Sequence, residues 1–305
     1  MKDNAQIVVG IGEVLWDILP EGRKLGGAPA NFAYHVLQLG MQGVVVSAVG
    51  DDALGKQILD EFRAKSLTGI IATVPYPYPT GTVQVNLDNQ GIPQYAITEN
   101  VAWDNIPFTT ELDDLARHTR AVCFGTLAQR SATTRATIHR FIEAMPHDSK
   151  TLIVFDANLR QSYYDRDILE QSLAHCNILK INDEELCIIF KTLGDTDIDL
   201  RSLQPETISR YAAKLIDRYN LKMVILTCGT NGSYIFTPEV TSFLPTPKVA
   251  VVDTVGAGDS FTAAIVACIL KGMSIVDAHR EAVAVAAYVC TQSGAMPQLP
   301  DALLS

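Results

Sequence analysis

A run of small residues leads directly into an aspartate in the stretch DTVGAGDSF, residues 253–261. Gly256, Ala257 and Gly258 offer nearly bare backbone at the start of an apolar helical segment, and Asp259 follows them. Because the first amides of a helix have no partner within the helix and lie at the positive end of its dipole, such a start can bind a phosphate group. Asp259 then has two interpretations: it caps the helix, or it is a general base for a nucleophile that attacks a bound phosphoryl group.

A second glycine motif, LGGAPANFA at residues 25–33, also opens a helix, and Asp17 lies shortly before it. Recognition of a polyol needs short carboxylate and carboxamide side chains, such as those of Asp17 and Asn31, beside a backbone that lets the ligand lie close. The structural alternative is a Gly-Gly turn followed by an asparagine whose hydrogen bonds are made within the protein. The motif alone leaves both interpretations open.

The familiar nucleotide-binding patterns are missing from these motifs. The chain has no G-x-x-x-x-G-K-[ST], and GIGEVL at residues 10–15 has leucine where a dinucleotide fingerprint needs its third glycine. GAGDSF at residues 256–261 fails the same test. The sequence therefore excludes a P-loop and a Rossmann dinucleotide site.

The elements that must position these motifs alternate along the chain, as short β-branched runs and longer stretches of helical period. This alternation predicts an α/β fold with a parallel sheet covered by helices. The predicted buried strands are 7–12, 44–50, 121–125, 151–158, 177–182 and 223–229. The predicted helices are 29–40, 131–145, 166–174, 205–219, 274–292 and the apolar segment 260–270.

Residues 75–97 interrupt this alternation with a proline-rich segment in which TVQVNL alternates as a strand does. The turn DNQG and a second short strand follow it, which predicts an antiparallel hairpin. The pattern fits an edge hairpin and a flap over a site equally well.

The composition is that of a globular protein, with 305 residues of which 48% are apolar and 19% charged, enough for one large α/β domain or two small ones. The net charge of −10 argues against nucleic acid and an anionic membrane as partners. The six cysteines contain no C-x-x-C pair, which argues against a zinc site and a disulfide framework. With no secretory signal pattern and a longest apolar run of nine residues, a soluble protein of the cytoplasm is expected.

Taken together, LGGAPANFA and DTVGAGDSF resemble the N- and C-terminal signatures of the PfkB (ribokinase-like) family of carbohydrate kinases. The segments FDANLR (155–160), ILKINDEE (178–185) and TCGTNGSY (227–234) are similar to it as well. The resemblance covers essentially the whole chain in the family's order. It implies a three-layer α/β/α sandwich with a mainly parallel sheet and a small β-sheet lid, as one kinase domain over residues 1–305. The lid is implied to consist mainly of residues 75–105 with part of 13–25, which favours the flap.

The resemblance also implies the catalytic roles. Asp259 corresponds to the general base, and the amides around Gly256, Ala257 and Gly258 to the anion hole for the transferring phosphoryl group. The residues that match sugar-contacting positions are Asp17, Gly27 and Asn31.

Other residues match positions around MgATP. Those implied to approach the nucleotide and its phosphates are Asn158, Arg160, Lys180, Asn182, Thr227, Gly229 and Gly232. Glu185 completes an N-x-x-E motif that organises Mg²⁺ through water in the family. Three of these assignments have a structural alternative: an exposed acidic helix start for the N-x-x-E, a plain β-turn for residues 227–232 and a salt bridge for Arg160.

Many family members also bind K⁺ through backbone carbonyls, and the matching positions here are Asp253, Val255 and Gly294. Gln298 stands where some relatives place a serine, which is a departure from that pattern. The implied small molecules are therefore a sugar, ATP, Mg²⁺ and K⁺. A homodimer formed through the lid is a further expectation.

The family leaves the sugar open, because its members phosphorylate fructose, ribose, 2-keto-3-deoxygluconate, sugar phosphates and nucleosides. Residues 66–116, which include the predicted lid, contain no lysine or arginine. An anionic sugar normally needs such a partner, so a neutral polyol is favoured. GEVLWDILPEG at 12–22 also resembles fructokinases, and the prediction is an ATP-dependent fructokinase that forms fructose 6-phosphate. The alternatives are a 2-keto-3-deoxygluconate kinase, a ribokinase, and a non-catalytic sugar- or nucleotide-binding protein with this fold.

Overall fold

The computed structural model describes residues 6–20, 22–87, 93–194 and 204–304. The strands are β1 (Ile7–Ile11), β2 (Leu15–Leu19), β3 (Gly22–Gly26), β4 (Gln42–Gly50), β5 (Thr68–Val74), β6 (Gly81–Leu87), β7 (Pro93–Ile97), β8 (Thr119–Phe124), β9 (Leu152–Asp156), β10 (Ile178–Asn182), β11 (Met223–Thr227), β12 (Ser233–Phe236) and β13 (Thr241–Leu244). The α-helices are α1 (Ala28–Gln38), α2 (Ala53–Ala64), α3 (Thr110–His118), α4 (Ala132–Ala144), α5 (Arg166–His175), α6 (Asp183–Thr192), α7 (Pro205–Tyr219), α8 (Ala257–Leu270) and α9 (Ile275–Cys290).

The main sheet has the strand order β13-β12-β11-β10-β9-β8-β1-β4-β5. Seven neighbouring strands of this sheet are parallel, namely β5, β4, β1, β8, β9, β10 and β11. β12 and β13 add an antiparallel hairpin beside β11. The chain leaves β1 toward β4 on one side and later returns to β8 on the other. In open α/β sheets a ligand binds at the carboxyl ends of the strands where the order reverses in this way, which directs attention to the end of β1.

Helices cover both faces of this sheet. On one face, side chains of α3 to α7 pack with Val9 and Ile11 of β1. On the other face, side chains of α1, α8 and α9 pack with Val8 of β1. A third cluster contains side chains of α1, α2 and β4. Strands buried on both faces are expected to be apolar without alternation, as the predicted strand segments are. The predicted three-layer sandwich and its mainly parallel sheet are confirmed. Within the described ranges, no helix is long and apolar enough to cross a membrane.

A second, smaller sheet has the order β3-β2-β6-β7. β2 and β3 form one antiparallel hairpin, β6 and β7 form another, and β2 pairs with β6 in parallel. The antiparallel hairpin predicted within residues 75–97 is therefore confirmed, and it belongs to this small sheet and not to the edge of the main one. The turn DNQG at residues 88–91 lies outside the described residues.

Candidate active site

The candidate site lies where α1 and α8 begin, and a glycine precedes each helix. Gly27 has a φ of +116° and Gly256 a φ of +79°, and neither helix start has a side-chain cap. A Cβ on Gly27 would lie 2.4 Å from Glu13 O, and one on Gly256 would lie 2.7 Å from the Cα of Ala295. Both positions therefore require glycine, and this close packing fixes where the first amides of the two helices lie.

Asp259 lies in the first turn of α8 and does not cap it, because Gly256 occupies the cap position. Asp259 Oδ2 instead accepts a hydrogen bond of 2.8 Å from Asn31 Nδ2 of α1. Burial, and next to it the Asp156 carboxylate, raise the pKa of Asp259 to about 6, although the bond from Asn31 and nearby positive charges lower it. At neutral pH the group is ionised yet more basic than an ordinary aspartate, which suits a general base.

The first amides of α8 are the groups of the site that can bind an anion. The first bond within the helix is donated by the amide of Ser260, so the amides of Gly258 and Asp259 precede the intrahelical ladder. The amide of Ala257 makes a long turn hydrogen bond of 3.3 Å to Thr254 O. The amides of Gly258 and Asp259 are therefore the ones that helix geometry leaves to a ligand.

A buried ion pair lies next to these amides. Lys180 Nζ donates a hydrogen bond of 3.1 Å to Asp156 Oδ1, with side chains 10% and 6% exposed. Burial disfavours the ammonium, but the carboxylates of Asp156, Glu185 and Asp259 outweigh it and raise the pKa of Lys180, which keeps the group charged. A Cβ on Gly258 would lie 3.0 Å from Lys180 Nζ, so this positive charge lies against the start of α8.

Asp156 and Thr262 were not predicted from the sequence. Thr262 Oγ1 lies 3.2 Å from Asp156 Oδ2 and 3.0 Å from the carbonyl oxygen of Gly258. The threonine thus links the end of β9 to the first turn of α8 and helps to fix the ion pair relative to the helix start.

Further carboxyls lie toward β1 and β2. Burial raises the pKa of Asp17 in β2, while the charges of Arg160 and Lys24 lower it. Glu13, which was not predicted, is 3% exposed, and its Oε2 has no hydrogen-bond partner within the described residues. Burial is the main cause that raises the pKa of Glu13 to about 7, and the charge of Asp259 adds to it. The exposed Arg160 lowers the pKa of all three acids, so its positive charge faces this carboxyl cluster.

Asn182 and Glu185 form a reciprocal capping box at the start of α6. Asn182 Oδ1 accepts from Glu185 N at 2.8 Å, while Glu185 Oε2 accepts from Asn182 N and Oε1 from Leu159 N, both at 2.9 Å. Burial raises the pKa of Glu185, and the charge of Lys180 opposes this. The carboxyl is buried, so the motif is not an exposed acidic helix start.

The remaining residues predicted for the nucleotide lie along the carboxyl ends of β9 to β11. Thr227 ends β11 directly beside Asn182, the last residue of β10. Gly229 and Gly232, with φ of +53° and +107°, lie in the turn that follows β11, and Asn158, two residues after β9, has a φ of +42°. These residues therefore lie together along the edge of the sheet that the carboxyl ends of its parallel strands form.

The donor atoms near this edge fit Mg²⁺ only in an indirect role. In the part of the chain that the structure describes, no three His, Cys, Asp or Glu side chains are grouped to bind a metal directly. Each carboxylate oxygen of Glu185 accepts one amide and keeps lone pairs for water, and oxygen ligands suit Mg²⁺. A Mg²⁺ that is held by phosphates and water fits this arrangement.

The residues implied in K⁺ binding are brought together around the side chain of Asp253. Its Oδ1 accepts a hydrogen bond of 3.1 Å from Val255 N, and its Oδ2 one of 3.0 Å from Gly294 N. Lys24 Nζ of β3 donates to the same Oδ2 at 3.3 Å. A cation of the protein itself therefore already lies at this turn.

Comparisons with known proteins agree with this geometry. Residues 21–302 match the pfkB family of carbohydrate kinases. Probable fructokinase-5 of Arabidopsis thaliana is 27% identical over 97% of this chain and 95% of its own length, and the ATP-dependent 6-phosphofructokinase of Thermoanaerobacterium thermosaccharolyticum is 26% identical over 98% and 92%. A double mutant of fructokinase from Vibrio cholerae O395, solved with fructose, ADP and a potassium ion, matches with a TM-score of 0.77 and 21% identity over 98% of this chain and 97% of that one. The family match covers most of the chain, and this protein belongs to the pfkB family of carbohydrate kinases.

Proposed function

We propose that this kinase transfers the γ-phosphate of MgATP to the hydroxymethyl group of a neutral sugar, D-fructose, and releases fructose 6-phosphate and ADP. The observation that carries the transfer is the position of Asp259, a basic carboxylate in the first turn of α8 beside helix amides and the Lys180 ammonium. A carboxylate at an anion-binding helix start repels the anion. It has a use there if it takes a proton from the nucleophile that attacks that anion.

The proposed step balances as follows. The sugar hydroxyl gives its proton to Asp259 while its oxygen forms a bond to the γ-phosphorus, and the bond from that phosphorus to the β-γ bridging oxygen breaks, so that ADP leaves. The amides of Gly258 and Asp259 and the ammonium of Lys180 stabilise the charge on the phosphoryl oxygens. Bound Mg²⁺ supplies further neutralisation of phosphate charge. Asp17 and Asn31 hold hydroxyls of the sugar.

The environment of Arg130 supports a neutral sugar. Arg130 Nε and Nη2 each donate a hydrogen bond of 2.8 Å to the carboxylate of Asp104, and the guanidinium lies 4.0 Å from the centroid of the Trp103 ring. Arg130 Nη2 also donates a hydrogen bond of 2.7 Å to Thr98 O, directly after β7, so the cation that lies beside the small sheet is already paired with a carboxylate of the protein. Residues 66–116 contain no lysine or arginine of their own. An anionic group on the sugar at this end of the site would be desolvated without a partner.

The cations of β3 are engaged in a similar way. Lys24 donates to Asp253, and Arg23 lies over the ring of Trp16 at 5.2 Å from its centroid. Arg160 faces the carboxyl cluster of Glu13, Asp17 and Asp259, so its positive charge is opposed by three acids of the protein itself. These pairings favour fructose over acidic and phosphorylated sugars.

The proposal includes the small sheet as a lid, formed by residues 75–105 with part of 13–25 within a single kinase domain of residues 1–305. β2 carries Asp17, and β6 pairs with β2 directly, so a movement of the sheet moves a sugar-binding residue. A homodimer joined through this sheet stays a prediction, which sedimentation velocity tests.

The experiment compares kcat/KM for D-fructose, D-ribose, 2-keto-3-deoxygluconate, fructose 1-phosphate and fructose 6-phosphate at saturating MgATP, with ADP release as the signal. We expect fructose to exceed the three anionic sugars by about one to two decades, since an unpaired buried charge costs ~1–3 kcal/mol or more. Ribose, which is neutral but shorter, is expected to lie between them. The Asp259→Asn protein, purified in the same way, shows whether the activity belongs to this site.

A preference for an anionic sugar would overturn the neutral-sugar proposal and favour a phosphofructokinase or a 2-keto-3-deoxygluconate kinase. The relative named as a 6-phosphofructokinase makes fructose 6-phosphate the sharpest of these comparisons. A preference for ribose would refute fructose alone. Binding of ATP and sugar without any turnover would make the protein a non-catalytic member of the fold.

A further inference from the structure

The carboxylate of Asp253 joins the loop before α8 to the turn after α9. Its two oxygens accept hydrogen bonds from the amides of Val255 and Gly294, and its own amide lies 3.3 Å from the carbonyl oxygen of Cys290. The loop that leads into the anion-binding amides is therefore held to the turn after α9 by the carboxylate and the amide of Asp253.

The positive charge at this carboxylate comes from the small sheet. Lys24 Nζ lies 3.3 Å from Asp253 Oδ2 and 3.3 Å from Ser293 Oγ, and the two charged side chains are 39% and 19% exposed. Lys24 stands opposite Asp17 in the β2-β3 pairing. The Lys24 ammonium of β3 thus links the partner strand of β2, which carries the proposed sugar-binding Asp17, to the loop that precedes the phosphate site, across 229 residues of sequence.

A K⁺ ion at this turn would place beside Asp253 a positive charge that the Lys24 ammonium already provides. The carbonyls implied as K⁺ ligands belong to Asp253, Val255 and Gly294. The carboxylate of Asp253 accepts hydrogen bonds from the amides of the other two residues and from the Lys24 ammonium, so that positive charge already lies among the implied ligands. A second monovalent cation beside Asp253 would lie close to the ammonium, and like charges at such short distances repel. The residues present therefore do not fit a K⁺ ion at Asp253 as long as Lys24 keeps its place.

We propose that Lys24 is a built-in cation that replaces K⁺ at the Asp253 turn, so that this kinase works without a monovalent metal ion. Lys24 is a positioning residue: it holds the loop that places the first amides of α8 and does not touch the phosphoryl group. Removal of its charge leaves Asp253 unbalanced and opens the turn to a cation from solution. Lys24→Met should thus convert a K⁺-independent kinase into a K⁺-dependent one.

The experiment measures kcat and KM for ATP in KCl, NaCl and choline chloride at equal ionic strength, for wild type, Lys24→Met and Arg23→Met. We expect the wild type to change by less than about twofold between salts. Lys24→Met should lose about fivefold to tenfold of kcat in choline chloride, the effect of one charge-assisted hydrogen bond, and regain most of it in KCl. Arg23→Met is the matched control, since the neighbouring cation of β3 lies over Trp16 and away from the turn.

A second measurement needs neither sugar nor turnover, so it does not depend on the choice of fructose. The midpoint of thermal unfolding of Lys24→Met should be about 2–4 °C higher in KCl than in choline chloride, while wild type and Arg23→Met show no difference. Activation of the wild type by K⁺ of fivefold or more, or the same salt response in Lys24→Met as in wild type, would overturn the proposal. If Lys24→Met does not fold, Lys24→Gln takes its place. The salt series on the wild type tests K⁺ independence without any variant.

Discussion

Asn31 Nδ2 donates a hydrogen bond of 2.8 Å to Asp259 Oδ2, and this contact joins two residues that are 228 positions apart. It brings the two glycine motifs of the sequence into one site, because Asn31 lies near the start of α1 and Asp259 lies near the start of α8. Asn31 Oδ1 has no hydrogen-bond partner within the described residues. One side chain can therefore orient the base through its nitrogen and accept from a sugar hydroxyl through its oxygen.

Asn31→Ala should change the pH dependence of the reaction as well as the binding of sugar. The hydrogen bond from Asn31 lowers the pKa of Asp259, so its removal raises that pKa, and the acid limb of kcat/KM should move to higher pH. We expect kcat/KM for the sugar at pH 7.5 to fall about tenfold or more, since a hydrogen bond to a charged group contributes ~1.5–3 kcal/mol. A profile from pH 5 to 9 measures both effects. An unchanged acid limb would show that Asp259 does not set it.

Asp259→Asn should lose turnover and keep the nucleotide. The substitution removes the proton acceptor but leaves the amides of α8 and the oxygen that accepts from Asn31. We expect kcat to fall by about 10²–10⁴, the usual effect of removing a general base. Isothermal titration with ATP should show affinity close to that of wild type. Turnover near the wild-type value would refute the assignment of Asp259 as the base.

The same variant should be more stable than the wild type above pH 6. The pKa of Asp259 is raised from 3.8 in an ordinary aspartate to about 6, so the folded state binds the proton more tightly than the unfolded state. The stabilisation from this proton is present below about pH 4 and is lost as the pH rises through 6, where the buried carboxylate must ionise. Asp259→Asn removes that cost, and we expect its free energy of unfolding at pH 8 to exceed that of wild type by about 1–3 kcal/mol.

Urea denaturation at pH 8 and at pH 4.5 measures this difference. The gain should shrink at the lower pH, where Asp259 of the wild type is largely protonated. A loss of stability at pH 8 would mean that the carboxylate supports the start of α8, as a structural residue does.

The central part of the fold could be predicted because β1, β4 and β8 to β11 are buried on both faces and therefore form short apolar runs. β5 was not predicted, since this edge strand is partly exposed, and β12 and β13 have four residues each and carry too little pattern. The hairpin of β6 and β7 was predicted from its own turn signal. Its place beside β2 depends on a contact between distant parts of the chain, which a local pattern does not contain.

In the site, the residues assigned by the family resemblance were predicted, including Lys180, whereas its partner Asp156 was not. Lys180 lies in the apolar strand ILKIN, and a buried lysine needs a carboxylate. Asp156 is that carboxylate because it stands opposite Lys180 between β9 and β10, and strand register is not visible in a local pattern. The pairing of Lys24 with Asp253 has no sequence signal of this kind.

Alanine at Gly256 and alanine at Gly258 should have different effects. Gly256 has a φ of +79°, and its Cβ would lie 2.7 Å from backbone atoms of Ala295, so Gly256→Ala should destabilise the protein by about 2–4 kcal/mol. The Cβ at Gly258 would lie 3.0 Å from Lys180 Nζ, which need shift by only a few tenths of an ångström and can keep its hydrogen bond to Asp156. Gly258→Ala should therefore keep stability within about 1 kcal/mol, since alanine also favours a helix.

Gly258→Ala should nevertheless have a lower kcat, because its methyl group shifts the Lys180 ammonium at the start of α8. We expect a decrease in kcat of about tenfold, as for the loss of one electrostatic contact to the phosphoryl group. Chemical denaturation and steady-state kinetics on both variants separate the effects. A Gly258→Ala protein with wild-type kcat would remove Lys180 from the list of groups that stabilise the transferring phosphoryl group.

Asp17→Ala tests the division of the site into a sugar side and a nucleotide side. Asp17 lies in β2 of the small sheet, and its carboxyl oxygens can accept hydrogen bonds from hydroxyls. Burial raises the pKa of this carboxyl, and the charges of Arg160 and Lys24 oppose the rise. We expect the KM for fructose to rise about 10- to 100-fold, the loss of one or two hydrogen bonds to a charged group at ~1.5–3 kcal/mol. The affinity for ATP in the absence of sugar should stay within about twofold, because Asp17 is proposed to contact the sugar and not the nucleotide.

Asp60→Ala is the control for Asp17→Ala, since the Asp60 carboxylate pairs with Lys56 and Arg63 of its own helix and its loss should alter neither constant. Calorimetry that found Asp17→Ala with weakened ATP and unchanged sugar binding would reverse the assignment of the two sides.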